Sequence, residues 1–204
     1  MTKIKICGLT RKEDIESVNR WLPDYIGFVF CKSRRQVTAE QAALLKADLD
    51  NRIKAAGVFV NEPLNSIIKL CKCRIIDVVQ LHGDEDEAYI SNLKAQIDCP
   101  VIKAVRVQSS EQILQTEKLS CDFLLLDTYQ KGQYGGSGET FDYAMIPILQ
   151  KRFFLAGGLD GSNIAEAIRK CNPYGVDISS GLETDGLKDE SKIRQIIQTV
   201  RGLE

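Results

Sequence analysis

Residues 153–181 carry the pattern of one strand–helix–strand unit, FFLAGGLDGSNIAEAIRKCNPYGVDISSG. The short apolar runs at 153–157 and 175–179 are typical of buried parallel strands, and residues 162–171 between them have the apolar spacing of a helix. Because a helix joins the two runs, this unit predicts parallel strands within one sheet.

The same alternation of apolar runs and amphipathic stretches continues through the whole chain. Strand candidates lie at 3–7, 25–30, 53–60, 76–81, 101–105, 122–127, 153–157 and 175–179. Helical patterns begin near Lys12 and cover 39–49, 63–72, 85–97, 110–118, 142–150, 162–171 and 189–201. Thr38, Ser109 and Asp160 stand where N-caps are expected, ahead of the apolar periodicity.

Eight strand–helix units in succession favour a closed (β/α)8 barrel of TIM type over an open doubly wound sheet. An open nucleotide-binding sheet usually has G-x-G-x-x-G directly after its first strand, whereas strand one here ends in Cys7-Gly8-Leu9-Thr10. No Pro/Ser linker, low-complexity tract or shift of composition divides the 204 residues. We therefore predict a single barrel domain over residues 1–204.

The composition excludes several classes of function. Lys plus Arg number 27 and Asp plus Glu number 28, so a net charge of −1 draws the chain to neither nucleic acid nor an acidic membrane. No apolar run approaches the roughly 20 residues of a membrane helix, and the start MTKIKICGLTRKED has no stretch of signal-peptide type. Seven scattered cysteines and one histidine favour a reduced cytoplasmic protein without a structural metal.

The longest connection in the predicted barrel is TYQKGQYGGSGET, residues 128–140. Its four glycines permit a flexible surface loop with no other role. Long loops in compact domains are often functional, however, and this one leaves the carboxyl end of a strand. We therefore expect it to take part in function.

Active sites of such barrels lie at the carboxyl ends of the strands. Strand seven ends in Gly157-Gly158, and strand eight ends in Ser179-Ser180-Gly181. The loops after these two strands commonly bind phosphate through backbone N–H groups, which glycine and serine leave accessible. Two glycine turns without a ligand are the alternative, but their occurrence at both strand ends favours a phosphate site.

Cys7 and Asp127 stand at the ends of strands one and six, where a substrate crossing the mouth would meet a base and an acid. A cysteine base must be a thiolate, which requires positive charge or helix dipoles to lower its pKa. An aspartic acid that donates a proton needs a raised pKa. A buried structural cysteine and a turn-capping aspartate are equally compatible with position alone.

Cationic and polar side chains surround the same strand ends. Lys5 lies two residues before Cys7 and points the same way, so inside the barrel its ammonium would help to hold a thiolate. Arg34 and Arg35 follow strand two and either bind a carboxylate or phosphate or form a solvated surface.

The end of strand four carries Gln80 and His82, the latter being the only histidine of the chain. A lone histidine is more often a polar lining group than a catalyst. We therefore predict that both side chains line the substrate site.

These motifs, in this order, resemble the phosphoribosylanthranilate isomerase family along nearly the whole chain. The stretches that carry the resemblance are KICGLT (5–10), GFVF followed by SRR (27–35), GVFVN (57–61), VQLHGDE (79–85), LLLDT (124–128), GGSGETFDY (135–143), LAGGLDGSNI (155–164) and VDISSGLE (176–183). The resemblance implies a barrel of the ribulose-phosphate-binding type and an Amadori rearrangement of N-(5-phosphoribosyl)anthranilate, without cofactor or metal.

The resemblance also implies roles for individual residues. Asp127 of LLLDT matches the general acid that opens the ribose ring, and Cys7 of KICGLT matches the general base that removes the C2′ proton. Arg35 takes the place of the arginine that holds the anthranilate carboxylate. The phosphate would be bound by Gly157, Gly158, Ser179, Ser180 and Gly181.

One stretch departs from the family pattern. The segment Cys31–Arg35 is shorter than usual and lacks a proline, although its S-x-R spacing selects Arg35 over Arg34.

A histidine-pathway phosphoribosyl isomerase is the alternative enzyme, but it would be expected to use a carboxylate in place of Cys7. A non-catalytic phosphosugar sensor would lack the acid or the base. No apolar surface stripe predicts a dimer, so we expect a monomer.

Overall fold

Eight apolar segments form a closed barrel of parallel strands in the computed structural model, which describes residues 1–128 and 141–203. The strands are β1 (Lys3–Cys7), β2 (Tyr25–Val29), β3 (Lys54–Phe59), β4 (Val78–Leu81), β5 (Val101–Val107), β6 (Phe123–Thr128), β7 (Phe153–Leu155) and β8 (Gly175–Ile178). They pair in chain order, and β8 pairs with β1 to close the ring. The predicted barrel is confirmed, and every strand boundary lies within two residues of its predicted position.

Helices pack around the barrel wherever the apolar periodicity is long. They are α1 (Lys12–Trp21), α2 (Ala39–Ala47), α3 (Leu64–Lys72), α4 (Glu87–Lys94), α5 (Ser110–Glu117), α6 (Ile164–Cys171) and α7 (Glu190–Arg201). Thr38 and Ser109 are N-caps as predicted, since their side chains accept hydrogen bonds from the backbone N–H groups of Gln41 and Gln112.

Two local predictions are wrong. Residues 142–150 contain only a 3₁₀ turn, Tyr143–Met145, instead of a helix. Pro147 explains the difference, because it disfavours helical backbone at the residue before it, and Ile146 is extended with ψ of 111°. Asp160 does not cap α6: its carboxylate accepts hydrogen bonds from Ser162 in a turn, and Asn163 takes the N-cap position instead.

Side chains inside the barrel change from apolar to polar along the strands. Toward the amino ends lies a buried cluster that includes Ala56, Val78, Ile102, Leu125 and Phe154. Toward the carboxyl ends several buried side chains that line a cavity are polar, among them Gln80, His82 and Asp127, beside apolar residues such as Val58. The barrel is therefore filled by apolar side chains at one end and carries polar side chains at the other.

A short hairpin, β9 (Glu183–Thr184) and β10 (Leu187–Lys188), follows β8 and brings two charged side chains to the barrel mouth. The predicted functional loop over 128–140 lies, except for Thr128, outside the described residues. Within the described ranges, the helices are too short or too polar to cross a bilayer.

Candidate active site

A cavity of about 560 Å³ opens at the carboxyl ends of the strands. Nine of the ten predicted site residues line this cavity: Cys7, Arg35, Gln80, His82, Asp127, Gly157, Gly158, Ser179 and Ser180. Gly181 is the exception. A side chain there would run into the backbone oxygen of Leu159, so this glycine allows the loops after β7 and β8 to pack together.

Cys7 occupies a buried position at the end of β1, beside space that Gly27 leaves open. A Cβ atom on Gly27 would lie 2.7 Å from Cys7 Sγ and 3.2 Å from Lys5 Nζ, so the thiol and the ammonium share this space. Lys5 is fully buried inside the barrel, as its alternation with Cys7 predicts, and its Nζ lies 2.9 Å from Asp177 Oδ1.

A cysteine base requires nearby positive charge to lower the pKa of its thiol. Burial raises the pKa of the Cys7 thiol, and the nearby ammonium groups of Lys5 and Lys188 offset that effect only in part. For Lys5, burial acts to lower the pKa, but Asp177 and Cys7 outweigh it and raise the pKa of the ammonium. Lys5 is therefore held as a cation beside the thiol.

Asp127 lies across the cavity from Cys7, at the end of β6. Its Oδ1 accepts a hydrogen bond of 2.8 Å from the backbone N–H of Thr128, and its Oδ2 lies 3.2 Å from His82 Nε2. Gln80, two residues before His82 on β4, contacts His82 Nδ1 at 3.1 Å. The contact between β4 and β6 is absent from the sequence prediction, because no spacing along the chain reveals it.

Arg35 is fixed at the rim of the cavity by Glu183, a residue that sequence reasoning did not select. Its Nε and Nη2 donate to the two Glu183 carboxylate oxygens at 2.6 and 3.0 Å. Lys188 donates to the same carboxylate at 2.7 Å. Burial acts to raise the pKa of Glu183, but the hydrogen bonds from Arg35 and Lys188 outweigh it and lower the pKa. The rim therefore carries more positive than negative charge.

Arg34 also contacts Glu183, at 2.6 Å, but the two arginines differ in exposure. The Arg34 side chain is 59% exposed, whereas the Arg35 side chain is 15% exposed and lines the cavity. A partly desolvated guanidinium interacts more strongly with an anion than a solvated one does. The geometry therefore favours Arg35 for contact with a bound carboxylate.

Small residues form the wall between β7 and β8. Gly157 and Gly158 have φ values of +85° and +60°, which favour glycine, and a side chain on Gly157 would collide with Thr128. Ser179 donates its hydroxyl to the backbone oxygen of Cys7 at 3.0 Å, which ties this wall to the strand that carries the thiol. The wall presents backbone to the cavity, an arrangement suited to a phosphate group.

Together these residues suit proton transfer on a small anionic molecule. A thiol and a carboxyl group face one cavity from different strands, with a guanidinium at the rim and a small-residue wall beside them. No three His, Cys, Asp or Glu side chains in residues 1–128 and 141–203 are arranged to hold a metal ion.

Comparisons with known proteins agree over nearly the whole chain. The model of the N-(5′-phosphoribosyl)anthranilate (PRA) isomerase family matches residues 4–199. The N-(5′-phosphoribosyl)anthranilate isomerase of Endomicrobium trichonymphae is 48% identical over 203 residues, which is 100% of each chain. The phosphoribosyl anthranilate isomerase structure from Thermotoga maritima is 32% identical with a TM-score of 0.86, over 99% of this chain and 100% of that one.

A further solved structure bears on ligand chemistry. It is a phosphoribosyl anthranilate isomerase in complex with reduced 1-(o-carboxyphenylamino)-1-deoxyribulose 5-phosphate. It is 30% identical to this chain with a TM-score of 0.82, and the alignment covers 99% of this chain and 100% of that one.

Proposed function

Because this chain belongs to the N-(5′-phosphoribosyl)anthranilate isomerase family, we propose that the cavity at the carboxyl ends of its strands is where the isomerisation takes place. The chain converts N-(5-phosphoribosyl)anthranilate to 1-(2-carboxyphenylamino)-1-deoxyribulose 5-phosphate in tryptophan biosynthesis, by general acid–base catalysis. The observation that carries the site proposal is that Cys7, Asp127 and Arg35 line one cavity.

Ring opening is the first step, and Asp127 is its general acid. The carboxyl group donates a proton to the furanose oxygen while the bond from that oxygen to C1′ breaks. The nitrogen lone pair forms a double bond to C1′, so the charge moves onto the substrate nitrogen. Burial of Asp127 within the cavity wall keeps bulk water from competing for this proton.

Formation of the enolamine is the second step, and Cys7 is its general base. The thiolate removes the proton from C2′, the C1′–C2′ double bond forms, and the electron pair returns to nitrogen. In the ketonisation that follows, C1′ receives the proton that Cys7 removed, and the C2′ hydroxyl returns a proton to the Asp127 carboxylate as it becomes the carbonyl group. The ammonium groups of Lys5 and Lys188 stabilise the thiolate, because both lie close enough to lower its pKa against the effect of burial.

Two anionic groups of the substrate define its orientation. The phosphate is bound by the wall of Gly157, Gly158, Ser179 and Ser180. Gly181 supports that wall because it lets the loops after β7 and β8 pack closely. The anthranilate carboxylate contacts Arg35, whose guanidinium Glu183 holds in place. Gln80 and His82 line the space between these two ends.

The arginine assignment is tested by removing each guanidinium in turn. We expect Arg35→Met to lower kcat/KM by about 10- to 100-fold, because a charge-assisted hydrogen bond to the substrate is lost. Arg34→Met should change kcat/KM less than about threefold, since a solvated surface ion pair contributes little. The measurement is the decrease of anthranilate fluorescence with substrate generated in situ. A larger effect for Arg34→Met would exchange the two roles, and a folded but inert wild type would contradict the proposed function.

The phosphate wall is tested by adding a negative charge to it. We expect Ser180→Asp to raise KM at least about tenfold, because the new carboxylate repels the substrate phosphate. Inorganic phosphate should inhibit the wild type competitively and inhibit this variant much less. Ser66→Asp adds the same charge in α3, away from the cavity, and serves as the control. Equal KM values for the two variants would place the phosphate elsewhere.

We further propose that the chain acts as a monomeric single domain of residues 1–204 in the cytoplasm. All seven cysteines are free thiols, which supports a reducing compartment. Among the described residues, the large apolar side chains that are exposed lie on different elements, which supports a monomer; they are Met1, Leu44, Ile148 and Leu187.

The proposed steps move only protons and bonding electrons within one substrate molecule, so they need no cofactor.

A further inference from the structure

Two buried polar atoms, one on β4 and one on the residue that follows it, belong to side chains that line the cavity. Gln80 Oε1 and His82 Nε2 have no hydrogen-bond partner among the described residues. Gln80 is 1% exposed and His82 is 8% exposed, and both side chains line the cavity. A buried polar atom without a partner is costly in a folded protein, so two of them in one cavity indicate groups that bind something there.

The contact between the two side chains fixes where the ring proton of His82 lies. Gln80 Nε2 is 3.1 Å from His82 Nδ1. An amide nitrogen has hydrogens but no lone pair to offer, so it donates and Nδ1 accepts. In the neutral ring the proton is then on Nε2.

The protonated nitrogen faces the acid. His82 Nε2 lies 3.2 Å from Asp127 Oδ2, within ion-pair distance, although its N–H direction does not complete a hydrogen bond. Such contacts often tighten only when substrate binds. The other carboxylate oxygen, Oδ1, already accepts from the backbone N–H of Thr128.

The backbone behind His82 is held rigidly. The His82 N–H donates to the Phe59 oxygen on β3 at 2.8 Å. Just beyond it, the buried ammonium of Lys103 donates to the Gly83 oxygen at 2.6 Å and to Glu85 Oε2 at 2.8 Å. A side chain mounted on such a support is suited to orienting another group, because its own position is defined.

We propose that Gln80 and His82 are a positioning pair for the general acid. Gln80 keeps the ring proton of His82 on Nε2, and that N–H orients the Asp127 carboxyl group for proton transfer to the substrate ring oxygen. Gln80 Oε1 remains available and accepts a hydrogen bond from a substrate donor, a sugar hydroxyl or the anilino N–H. This inference rests on the proposed function. It gives Gln80 and His82 specific roles in addition to lining the cavity.

The ring tautomer is measured directly by ¹⁵N NMR, without any turnover. His82 is the only histidine in the chain, so its ring signals need no assignment. We expect the Nε2–H tautomer in the wild type. In Gln80→Glu, the new carboxylate accepts instead of donating, so the ring proton should move to Nδ1. The Nδ1–H tautomer in the wild type would overturn the proposal.

Activity of paired variants separates positioning from a structural role. We expect His82→Asn to lower kcat about 10- to 100-fold, because its amide ends near the place of Nδ1 and does not reach Asp127. His82→Gln, whose amide nitrogen reaches the place of Nε2, should retain most of the activity. Gln80→Glu should resemble His82→Asn, and the double variant should be no worse than either single one. Equal losses in His82→Asn and His82→Gln, or additive losses in the double variant, would overturn the proposal.

The wild type and Asp127→Asn are measured alongside. An inert wild type would contradict the proposed function itself. An active wild type with a fully active His82→Asn variant would overturn only the positioning pair. Circular dichroism on every variant confirms that the compared proteins are folded.

Discussion

Replacing Cys7 by alanine is expected to lower kcat about 10²- to 10⁴-fold, the usual range for the loss of a general base. The thiol is small and buried at the end of β1, so alanine fills most of its volume and the barrel should remain folded. Cys31→Ala is the matched control, because Cys31 is half-buried and lines the same cavity without being placed in the mechanism. Its kcat should change less than about threefold.

The pH dependence identifies the thiolate as the active form. Burial raises the pKa of Cys7, so only a minor fraction of the free protein carries a thiolate at neutral pH. The thiolate fraction increases with pH until the pKa is passed. Because the wild-type rate also depends on the proton that Asp127 donates, the test uses Asp127→Asn, whose residual kcat/KM should rise as the solution becomes alkaline. This rise should vanish when Cys7→Ala is added to Asp127→Asn. Retained activity in Cys7→Ala, or the same alkaline rise in the double variant, would remove Cys7 from the role of base.

Asp127→Asn is expected to lower kcat by a similar 10²- to 10⁴-fold. The amide has the size of the carboxyl group and its oxygen still accepts from the Thr128 N–H, but it has no acidic proton for the ring oxygen. Asp84→Asn is the control: Asp84 follows β4 at the same end of the barrel, yet its side chain is 68% exposed and pairs with Arg106.

Binding measurements separate the chemical role of Asp127 from a structural one. Reduced 1-(o-carboxyphenylamino)-1-deoxyribulose 5-phosphate already has an open sugar chain, so its affinity does not depend on proton donation. We expect its Kd for Asp127→Asn to lie within about tenfold of the wild-type value while kcat collapses. A parallel loss of affinity and turnover would instead indicate that Asp127 supports the shape of the cavity.

The barrel was predictable because each of its strands is specified by a short segment of the sequence. Each strand is a short apolar run, and the rule that barrel sites lie at the carboxyl ends then selected Cys7, Asp127 and the glycine turns without any contact data. The helix predicted over 142–150 does not form for an equally local reason, because Pro147 disfavours helical backbone at Ile146.

The contacts that tune the site were not predictable, because they join distant parts of the chain. Glu183 holds Arg35 from 148 residues away, and Asp177 pairs with Lys5 from 172 residues away. The approach of His82 to Asp127 depends on the curvature of the closed sheet between β4 and β6. The alternation of residues along a strand determines which way a side chain points. The distance between the ends of two strands, by contrast, depends on the geometry of the whole barrel.

The pairing of β8 with β1 has a consequence for how the protein is made. The ribosome delivers the strand that bears Lys5 first and the strand that bears Asp177 172 residues later, a delay of roughly ten to thirty seconds at ordinary elongation rates. Until then β1 has an open edge, and its lysine lacks the carboxylate that makes burial tolerable. Pairing of β8 with β1 completes the burial of Lys5 and the surroundings of Cys7 together, so we expect a partial barrel without β8 to be inactive.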